Sequence, residues 1–305
     1  MHSAPPLNSL RRVSRQPFRN AVLVLVWGWL LALVLAPNLL VLGASVLTRD
    51  PLEFLRLPFT VDNYLRLLDP LYLAVFLHSL WMAVLTTLLC LLLGYPFAWA
   101  LSRVSRRRRP LLIFLLILPF WTNSLVRIYA IKLLLATNGL INPVLLTLGI
   151  IDTPVAMLYT EGAVIFGLVY LLLPFMILPL HAVFEDLRPE LLLASRDLGA
   201  GRLATFVHVI VPLTLPGAIA GVLLVLLPAM GMFYVADVLG GAKNLLVGNI
   251  IKDQFLDARD WPFGAAASVL LTAAMALLLW AYHLSRGRLG EALSRPETTP
   301  RETTP

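Results

Sequence analysis

A carboxylate and two aromatic side chains meet at the end of one long apolar run in this sequence. Phe233 and Tyr234 precede Asp237 by about one helical turn. A carboxylate accepts charge-assisted hydrogen bonds from an ammonium group, and the face of an aromatic ring attracts the same cation. Tyrosine at the edge of an apolar run is equally typical of the aromatic belt of a membrane protein. The chemistry that these residues indicate is therefore the binding of a cation, with the aromatic belt as the alternative.

No spacing of residues in the sequence supports catalysis. The five histidines are scattered, without the separation that metal ligands require. Residues 240–244 come nearest to a phosphate-binding loop, but they lack its glycine spacing and its Lys-Ser/Thr pair. The single cysteine, Cys90, lies inside an apolar run and cannot form an internal disulfide. We therefore expect a chain that is not an enzyme and that holds no metal or cofactor of its own.

The composition places these residues in a membrane protein. Of the 305 residues 59% are hydrophobic and only 13% are charged, which is too little charge to cover the surface of a soluble domain. Several apolar runs reach the length that crosses a bilayer, and a spanning segment must be helical because lipid offers its backbone no hydrogen-bond partners. The sequence predicts an all-α polytopic membrane protein. Its six predicted transmembrane helices cover residues 21–46, 72–100, 111–134, 162–183, 212–236 and 263–284.

Basic residues give the expected orientation, because lysine and arginine accumulate in cytoplasmic segments. With the N-terminus inside, sixteen of the 24 basic residues fall in cytoplasmic segments and six in outer loops. The arginines at 106–109 fit contact with anionic membrane lipid better than nucleic-acid binding, and no nucleic-acid partner is expected. The first run is too long for a signal peptide. We expect a cytoplasmic segment at 1–20, a six-span domain at 21–284, and a disordered cytoplasmic tail at 285–305.

Prolines and glycines predict where the spans depart from regular helix. Prolines inside or at the edges of spans predict kinks or breaks; they are Pro96, Pro119, Pro174, Pro179, Pro216 and Pro228. Gly217 and Gly221 form a small-xxx-small face suited to close helix packing. Pro228 and Gly231 mark a place where span five could break, and residues 245–255 read as a short amphipathic helix in the outer loop.

A polar island between the fourth and fifth spans, residues 185–212, is patterned like two short helices. Leu191, Ala194 and Leu198 form one apolar stripe at helical spacing, and most charged residues lie off it. Gly199 permits a tight or left-handed turn, and Pro212 is expected to start span five after a second short helix at about 201–210. Two short helices joined by a glycine turn would form a compact knob that transmits a push from a partner. An ordinary interfacial helix pair is the alternative.

The island resembles the EAA loop of ABC importer permeases. Ala194-Ser195 occupies the last two positions of the Glu-Ala-Ala pattern, Gly199 follows four residues later, and 209–212 matches the Ile-x-Leu-Pro ending. Other segments resemble PotB-type permease subunits of bacterial spermidine/putrescine ABC importers, most specifically 227–237 and 240–246. The remaining segments with this likeness are 118–127, 168–179, 194–221, 226–249 and 259–266. The likeness extends over about residues 70–285.

The resemblance implies a type I ABC importer permease in the bacterial inner membrane. It implies a second six-span permease as partner, two separate ATPase subunits that bind ATP and Mg, and a periplasmic polyamine-binding protein. The cargo would cross between the two permeases. The residues that would contact the ATPase are Glu190, Ala194, Ser195, Arg196, Asp197, Leu198, Gly199 and Ala200. Leu193 stands where the family pattern has glutamate, which weakens the role of that glutamate here; Glu190, one turn away, is a possible substitute.

A polyamine cargo needs carboxylates for its ammonium groups and aromatic faces for its methylenes. The candidate path residues that meet this need, led by Asp237 and Tyr234, are Trp121, Asn123, Tyr129, Phe233, Tyr234, Asp237, Asp260 and Trp261. Arg127 and Lys132 would repel the cargo, and snorkelling to the membrane surface is the simpler reading of both. Two alternatives remain open: the same class of permease with another cationic cargo, and a self-sufficient secondary transporter, which would predict inverted repeats and paired membrane-embedded acids.

Overall fold

A computed structural model describes residues 17–50, 55–241 and 244–293 of the chain. The fold is a bundle of helices with one short hairpin, in which β1 (Leu47–Thr48) pairs antiparallel with β2 (Arg56–Phe59). The helices are α1 (Pro17–Leu30), α2 (Ala36–Ser45), α3 (Asp62–Leu67), α4 (Pro70–Arg103), α5 (Arg109–Ile117), α6 (Ser124–Leu135), α7 (Ile141–Thr147), α8 (Glu161–Glu185), α9 (Pro189–Asp197), α10 (Arg202–Thr205), α11 (Val211–Gly231), α12 (Phe233–Val235), α13 (Val247–Leu256) and α14 (Trp261–Leu293). The predicted all-α class is confirmed.

In the described part of the chain, five continuous helical segments are long and apolar enough to cross a membrane: Arg19–Ser45, Pro70–Arg103, Glu161–Glu185, Arg202–Gly231 and Trp261–Trp280. The remaining predicted span, 111–134, the third along the chain, is a bent pair in which Arg109–Trp121 and Ser124–Leu135 meet at 90°. A 3-10 turn that contains Pro119 ends the first half. Asn123 then caps α6 by accepting a hydrogen bond from the backbone N–H of Leu125 at 2.8 Å. The proline and the cap together redirect the chain at this point.

The core of the bundle is formed by α4, α8 and α11, which pack closely on one another. Small residues make the approach of α8 and α11 possible. A Cβ atom added at Gly217 would lie 2.8 Å from the carbonyl oxygen of Pro179, and one at Gly221 would lie 2.6 Å from Sδ of Met176. The predicted small-xxx-small face is therefore the surface through which α11 contacts α8.

Replacing Gly217 with alanine is expected to destabilise the chain by roughly 1–3 kcal/mol, because the added methyl group meets backbone that cannot move aside. Gly28→Ala is the matched control, since nothing lies within 4 Å of a Cβ at that position of α1. Thermal unfolding of both variants in detergent measures the difference. Equal unfolding midpoints for the two would show that α8 and α11 are not locked at Gly217.

Span five begins earlier than the sequence predicts. Pro212 was expected to start it, but α10 runs through a π-helical turn (Phe206–Ile210) directly into α11, so the continuous segment is Arg202–Gly231. A proline inside a helix lacks a donor and crowds the carbonyl four residues earlier. The π turn widens the helix just before Pro212 and accommodates this crowding. At the other predicted sites α4, α8 and α11 continue without interruption; these sites are Pro96, Pro174, Pro179, Pro216 and Pro228.

The first and last spans lie at the edge of the bundle. In Arg19–Ser45, the most apolar stretch of eighteen residues contains no residue that the rest of the described chain buries. The contact of this span with the bundle is made where α2 packs against α14. Hydrogen bonds from Asn63 to the carbonyl oxygens of Ser45 and Leu47 fix that end to α3. Helix α14 continues to Leu293, into the segment predicted as a disordered tail. The rest of that tail, 294–305, and most of the predicted N-terminal segment, 1–16, lie outside the described residues.

Candidate functional site

Two regions at opposite ends of the α4/α8/α11 core contain the predicted ATPase-contact residues and the leading candidates for the solute path. One is the knob, defined as residues 189–210, which follows the C-terminal end of α8. The other is the 233–241 segment, which follows the C-terminal end of α11 and packs beneath α13. The backbone N–H of Val247 at the start of α13 donates to Oγ of Ser79 near the start of α4, at 2.8 Å. Because α11 starts at the end of the knob and finishes just before the 233–241 segment, the length of this helix separates the two regions.

Helix α11 ends at Gly231, at the place where the sequence predicts a break. Met232 leaves the helical conformation, and the chain then forms α12 and a π-helical turn at Ala236–Gly240. Helix α13 closes over this break, because a Cβ at Gly248 would lie 2.5 Å from the carbonyl oxygen of Gly231. The predicted amphipathic helix at 245–255 is thus α13, and its position brings its polar residues to Asp237.

Asp237 is held by two polar side chains of α13. The amide of Asn249 donates to Oδ1 of Asp237, and the ammonium group of Lys252 donates to Oδ2 at 2.8 Å. Asp237 is 35% exposed and Lys252 is 25% exposed, so water reaches this ion pair. The hydrogen bond to Asp237 raises the pKa of Lys252 above its ordinary value, against the opposing effect of partial burial. Lys252 therefore stays charged, and it also contacts Asp253 at 3.1 Å.

The two aromatic residues of this region differ in exposure. Phe233 is exposed, its ring centroid lies 5.9 Å from Nζ of Lys252, and its carbonyl oxygen accepts from Asn249. Tyr234 packs partly against the main hydrophobic core, with its ring 6.1 Å from that of Phe233. The structure therefore places Phe233, Asp237 and a lysine ammonium in one cluster. The sequence predicts that a carboxylate and an aromatic ring bind a cationic solute. In this structure the cation between them is the ammonium group of Lys252.

The predicted path residues of span three are spread along its bend. Trp121 is exposed and packs edge-on against Phe114, with centroids 5.5 Å apart, while the side chain of Asn123 is used to cap α6. Tyr129 is exposed one to two turns into α6. Its ring centroid lies 5.8 Å from Nζ of Lys132, which is equally distant from the ring of Tyr159.

Tyr159 connects this cluster to the 233–241 segment. Its backbone N–H donates to the carbonyl oxygen of Leu239 at 2.9 Å, and its ring packs on Gly241. Tyr159 and Gly241 both have a φ angle of 63°. This conformation costs little at glycine and more at tyrosine. The structure therefore places Tyr129 and Asp237 on elements that contact each other, although they are distant in sequence. Arg127 lies elsewhere on α6, against the rings of Phe120 and Tyr170.

Asp260 and Trp261 occupy a different environment from Asp237. Asp260 is 1% exposed, and its Oδ2 accepts from Arg66 at 2.9 Å. Its Oδ1 accepts from the backbone N–H of Phe263 at 3.3 Å, as a helix cap at the start of α14 does. Trp261 packs on Phe255 with ring centroids 6.0 Å apart and lines a cavity between α2 and α14. In this structure Asp260 joins α3 to α14, and the role of both residues in a solute path stays a prediction.

The knob has the first short helix and the glycine turn that the sequence predicts, while its second helix is the start of span five. Helix α9 ends at Asp197, Gly199 adopts φ of 80°, and α10 follows. Ser195 lies inside the knob, where its hydroxyl contacts that of Thr205 at 3.1 Å and donates to the carbonyl oxygen of Leu192 at 3.0 Å. The backbone N–H of Ala200 donates to the carbonyl oxygen of Ser195. Ser195 therefore stabilises the turn, and Leu192 on the same face packs against the core.

The apolar stripe of α9 points away from the rest of the described chain. Leu191, Ala194 and Leu198 are exposed, Leu198 to 88%, and Leu203 at the start of α10 is 77% exposed. The charged residues beside this stripe are also exposed; they are Glu190, Arg196 and Asp197. Leu193, at the position of the family glutamate, is exposed as well and extends the apolar surface. A surface of this kind on a polar loop is typical of an interaction site.

Aromatic stacking attaches the knob to the core, a feature that sequence reasoning missed. The ring of Trp99 on α4 stacks on Phe206 at 5.5 Å and on Phe184 at 6.3 Å, each with an interplanar angle of 13°. Beside these rings the guanidinium of Arg109 donates to Oε1 of Glu185 at 2.6 Å. Any displacement of the knob therefore acts directly on the ends of α4 and α8. Long-range pairs of this kind leave no periodic pattern in the sequence.

Comparison with known proteins supplies the family. Residues 70–290 match the family of binding-protein-dependent transport system inner membrane components. The chain is 59% identical over 261 residues to the spermidine/putrescine transport system permease protein PotB of Escherichia coli strain K12, covering 86% of this chain and 95% of that protein. It is 57% identical over 277 residues to the protein of that name from Salmonella typhimurium strain SL1344, covering 91% and 96%.

A solved structure of a bacterial alginate ABC transporter, in complex with an alginate pentasaccharide-bound periplasmic protein, matches with a TM-score of 0.73. That match covers 89% of this chain and 95% of the other at 16% identity, so it supports the fold alone. The family match covers residues 70–290, which include four of the five continuous spans, the bent pair and the knob. The chain therefore belongs to the family of binding-protein-dependent transport system inner membrane components, among its PotB-type permeases.

Proposed function

We propose that this chain is the permease subunit of an ATP-driven importer of spermidine and putrescine. The observation that carries the proposal is 57–59% identity to PotB permeases over nearly the whole length of both chains. The cluster of Asp237 and Phe233 supports it, because a polyamine combines ammonium groups with methylene segments and suits a carboxylate beside an aromatic face. In this proposal the cargo passes the 233–241 segment and Tyr129 on its way between two permease subunits.

The partners follow from the same proposal. A second six-span permease completes the pore against surfaces that this chain leaves exposed, and two ATPase subunits bind the ATP and Mg. A periplasmic binding protein delivers the polyamine at the end that carries α13. The exposed stripe of Leu191, Ala194 and Leu198 supports docking of the knob into an ATPase subunit, since burial of these side chains would stabilise the contact. The knob and both termini then face the cytoplasm of a bacterial cell, as the basic residues predict.

The proposed mechanism is alternating access driven by the knob. Closure of the ATPase subunits on ATP moves the knob, and the stack of Trp99, Phe206 and Phe184 passes this movement to α4, α8 and α11. The close packing of α11 on α8 at Gly217 makes these two helices move as one body. The chain itself performs no hydrolysis; it converts a movement at the knob into a change at the 233–241 segment.

Reconstitution tests the proposal. The chain is placed in proteoliposomes with its candidate partner permease and ATPase, and uptake of radiolabelled spermidine is measured with the binding protein outside and ATP on the ATPase side. We expect uptake only when all four components are present. ATP turnover without spermidine uptake would contradict the cargo and favour another cation, while uptake by this chain alone would favour a secondary transporter.

A further inference from the structure

Two surfaces near the proposed path could bind a cation, one at Asp237 and one between Tyr129 and Tyr159. In the structure a lysine of the chain itself contacts each of them. Nζ of Lys252 lies 2.8 Å from Oδ2 of Asp237 and 5.9 Å from the ring centroid of Phe233. A primary ammonium group of a polyamine would make the same two contacts, with a carboxylate and with a ring face. The lysine side chain consists of four methylenes that end in a primary ammonium group, so it resembles one end of a polyamine.

A second lysine, on the neighbouring element, makes the ring contacts alone. Nζ of Lys132 lies 5.8 Å from the ring centroids of both Tyr129 and Tyr159. The backbone of Tyr159 is bonded to Leu239, within the turn that carries Asp237. Each of two contacting elements thus presents a surface suited to an alkylammonium group, and each surface is occupied by a tethered one.

We propose that Lys252 is a tethered ammonium group that occupies the Asp237 site between transport cycles and that an ammonium group of the cargo must displace it. The inference rests on the proposed function. The structure supports exchange at Asp237, because the pair is open to water and Asn249 holds the carboxylate in place whichever cation is bound.

The exchange replaces one ammonium group by another, so Asp237 never remains as an unpaired carboxylate. Lys252 can release its ammonium group into water at little cost, since it is partly exposed and has a flexible stem. Three consequences follow. The tethered group excludes inorganic cations from the site, it weakens retention of the cargo, and it drives release by returning to Asp237. Lys252 is in this sense a specificity-determining residue for a cargo that carries primary ammonium groups.

The test is spermidine binding to the assembled transporter in nanodiscs without the binding protein, so that only the permease site is measured. Lys252→Met removes the competing ammonium group and is expected to lower the dissociation constant of spermidine roughly twofold to fivefold, the upper part of the range for an exposed ion pair. Arg259→Gln is the matched control, because it removes an exposed positive charge near α13, whereas the described side chains that bond Asp237 are Asn249 and Lys252. It is expected to change the constant by less than twofold.

An unchanged or weaker affinity in Lys252→Met, in a transporter whose wild type takes up spermidine, would overturn this inference and leave the proposed function intact. Absence of uptake by the wild-type complex would overturn both. A second measurement separates competition from a structural effect. In Lys252→Ala, n-butylammonium is expected to inhibit spermidine binding at a several-fold lower concentration than in wild type, because it can enter the vacated site. This difference is expected to vanish when Asp237→Asn is added, and its persistence there would count against the inference.

Discussion

Replacing Asp237 with asparagine is expected to reduce spermidine uptake roughly tenfold to a hundredfold while the complex still assembles. Asparagine keeps the shape of the side chain and an oxygen that can accept from Asn249, but it removes the charge that an ammonium group requires. A hydrogen bond to a charged group contributes about 1.5–3 kcal/mol, and 1.4 kcal/mol corresponds to a factor of ten. The measurement is the initial rate of uptake into proteoliposomes at several spermidine concentrations.

Asp253→Asn is the control for this substitution. Asp253 also contacts Lys252, at 3.1 Å, and is similarly exposed, but it lies outside the cluster with Phe233. Its substitution also removes one negative charge beside Lys252, and it is expected to change uptake by less than threefold. Equal uptake by Asp237→Asn and wild type would remove Asp237 from the path. An equal loss in both variants would show that the general charge of this region, and no specific site, attracts the cargo.

The local elements of this fold could be predicted from the sequence because their signals are local. Apolar runs give the spans, Gly199 gives the turn of the knob, and Gly231 gives the end of α11. Each of these features depends on residues within a few turns of one another. The apolar face with Gly217 and Gly221 could be predicted for the same reason, although the helix against which it packs could not.

The contacts that define the candidate site could not be predicted in this way. Lys252 and Asp237 are brought together only because α13 folds back over the end of α11, and Trp99 meets Phe206 only because the knob lies against α4. Hydrophobic periodicity shows which face of a helix is apolar and leaves its partner unspecified. Asp260 illustrates the same limit from the other direction. The sequence makes it a candidate for contact with the cargo, but in the structure Asp260 is buried, paired with Arg66 and bonded to the start of α14.

The start of span five shows how the position of a proline can mislead. Proline is common in the first turn of a helix, so Pro212 favours a helix that starts there. A proline is also tolerated inside a helix when a wider turn precedes it, and the π-helical turn at Phe206–Ile210 provides that turn. The two cases have the same residues in sequence, and only the backbone distinguishes them. One consequence is functional, since a continuous helix from the knob to Gly231 connects the two regions directly.

Replacing Leu198 with glutamate is expected to abolish ATP-driven uptake, with residual rates below about one-fiftieth of wild type. Leu198 is 88% exposed beside the turn at Gly199, so it contributes little to packing among the described residues. Burial of one leucine in a partner contributes about 1.5–3 kcal/mol, and placing an unpaired carboxylate in the same pocket costs several kcal/mol more. The fold is unaffected because the substituted side chain points into solvent.

Leu256→Glu is the control, because Leu256 is 68% exposed at the end of α13, on the opposite end of the core, and receives the identical substitution. Uptake, ATP hydrolysis and co-purification of the ATPase are measured for both variants. Loss of uptake in Leu198→Glu together with loss of the ATPase, or with ATP hydrolysis that no longer responds to the loaded binding protein, is the expected result. Normal coupled uptake in this variant would show that the knob does not dock through its apolar stripe. The exposed Leu193 would then also lose its proposed role, since the two leucines belong to one surface.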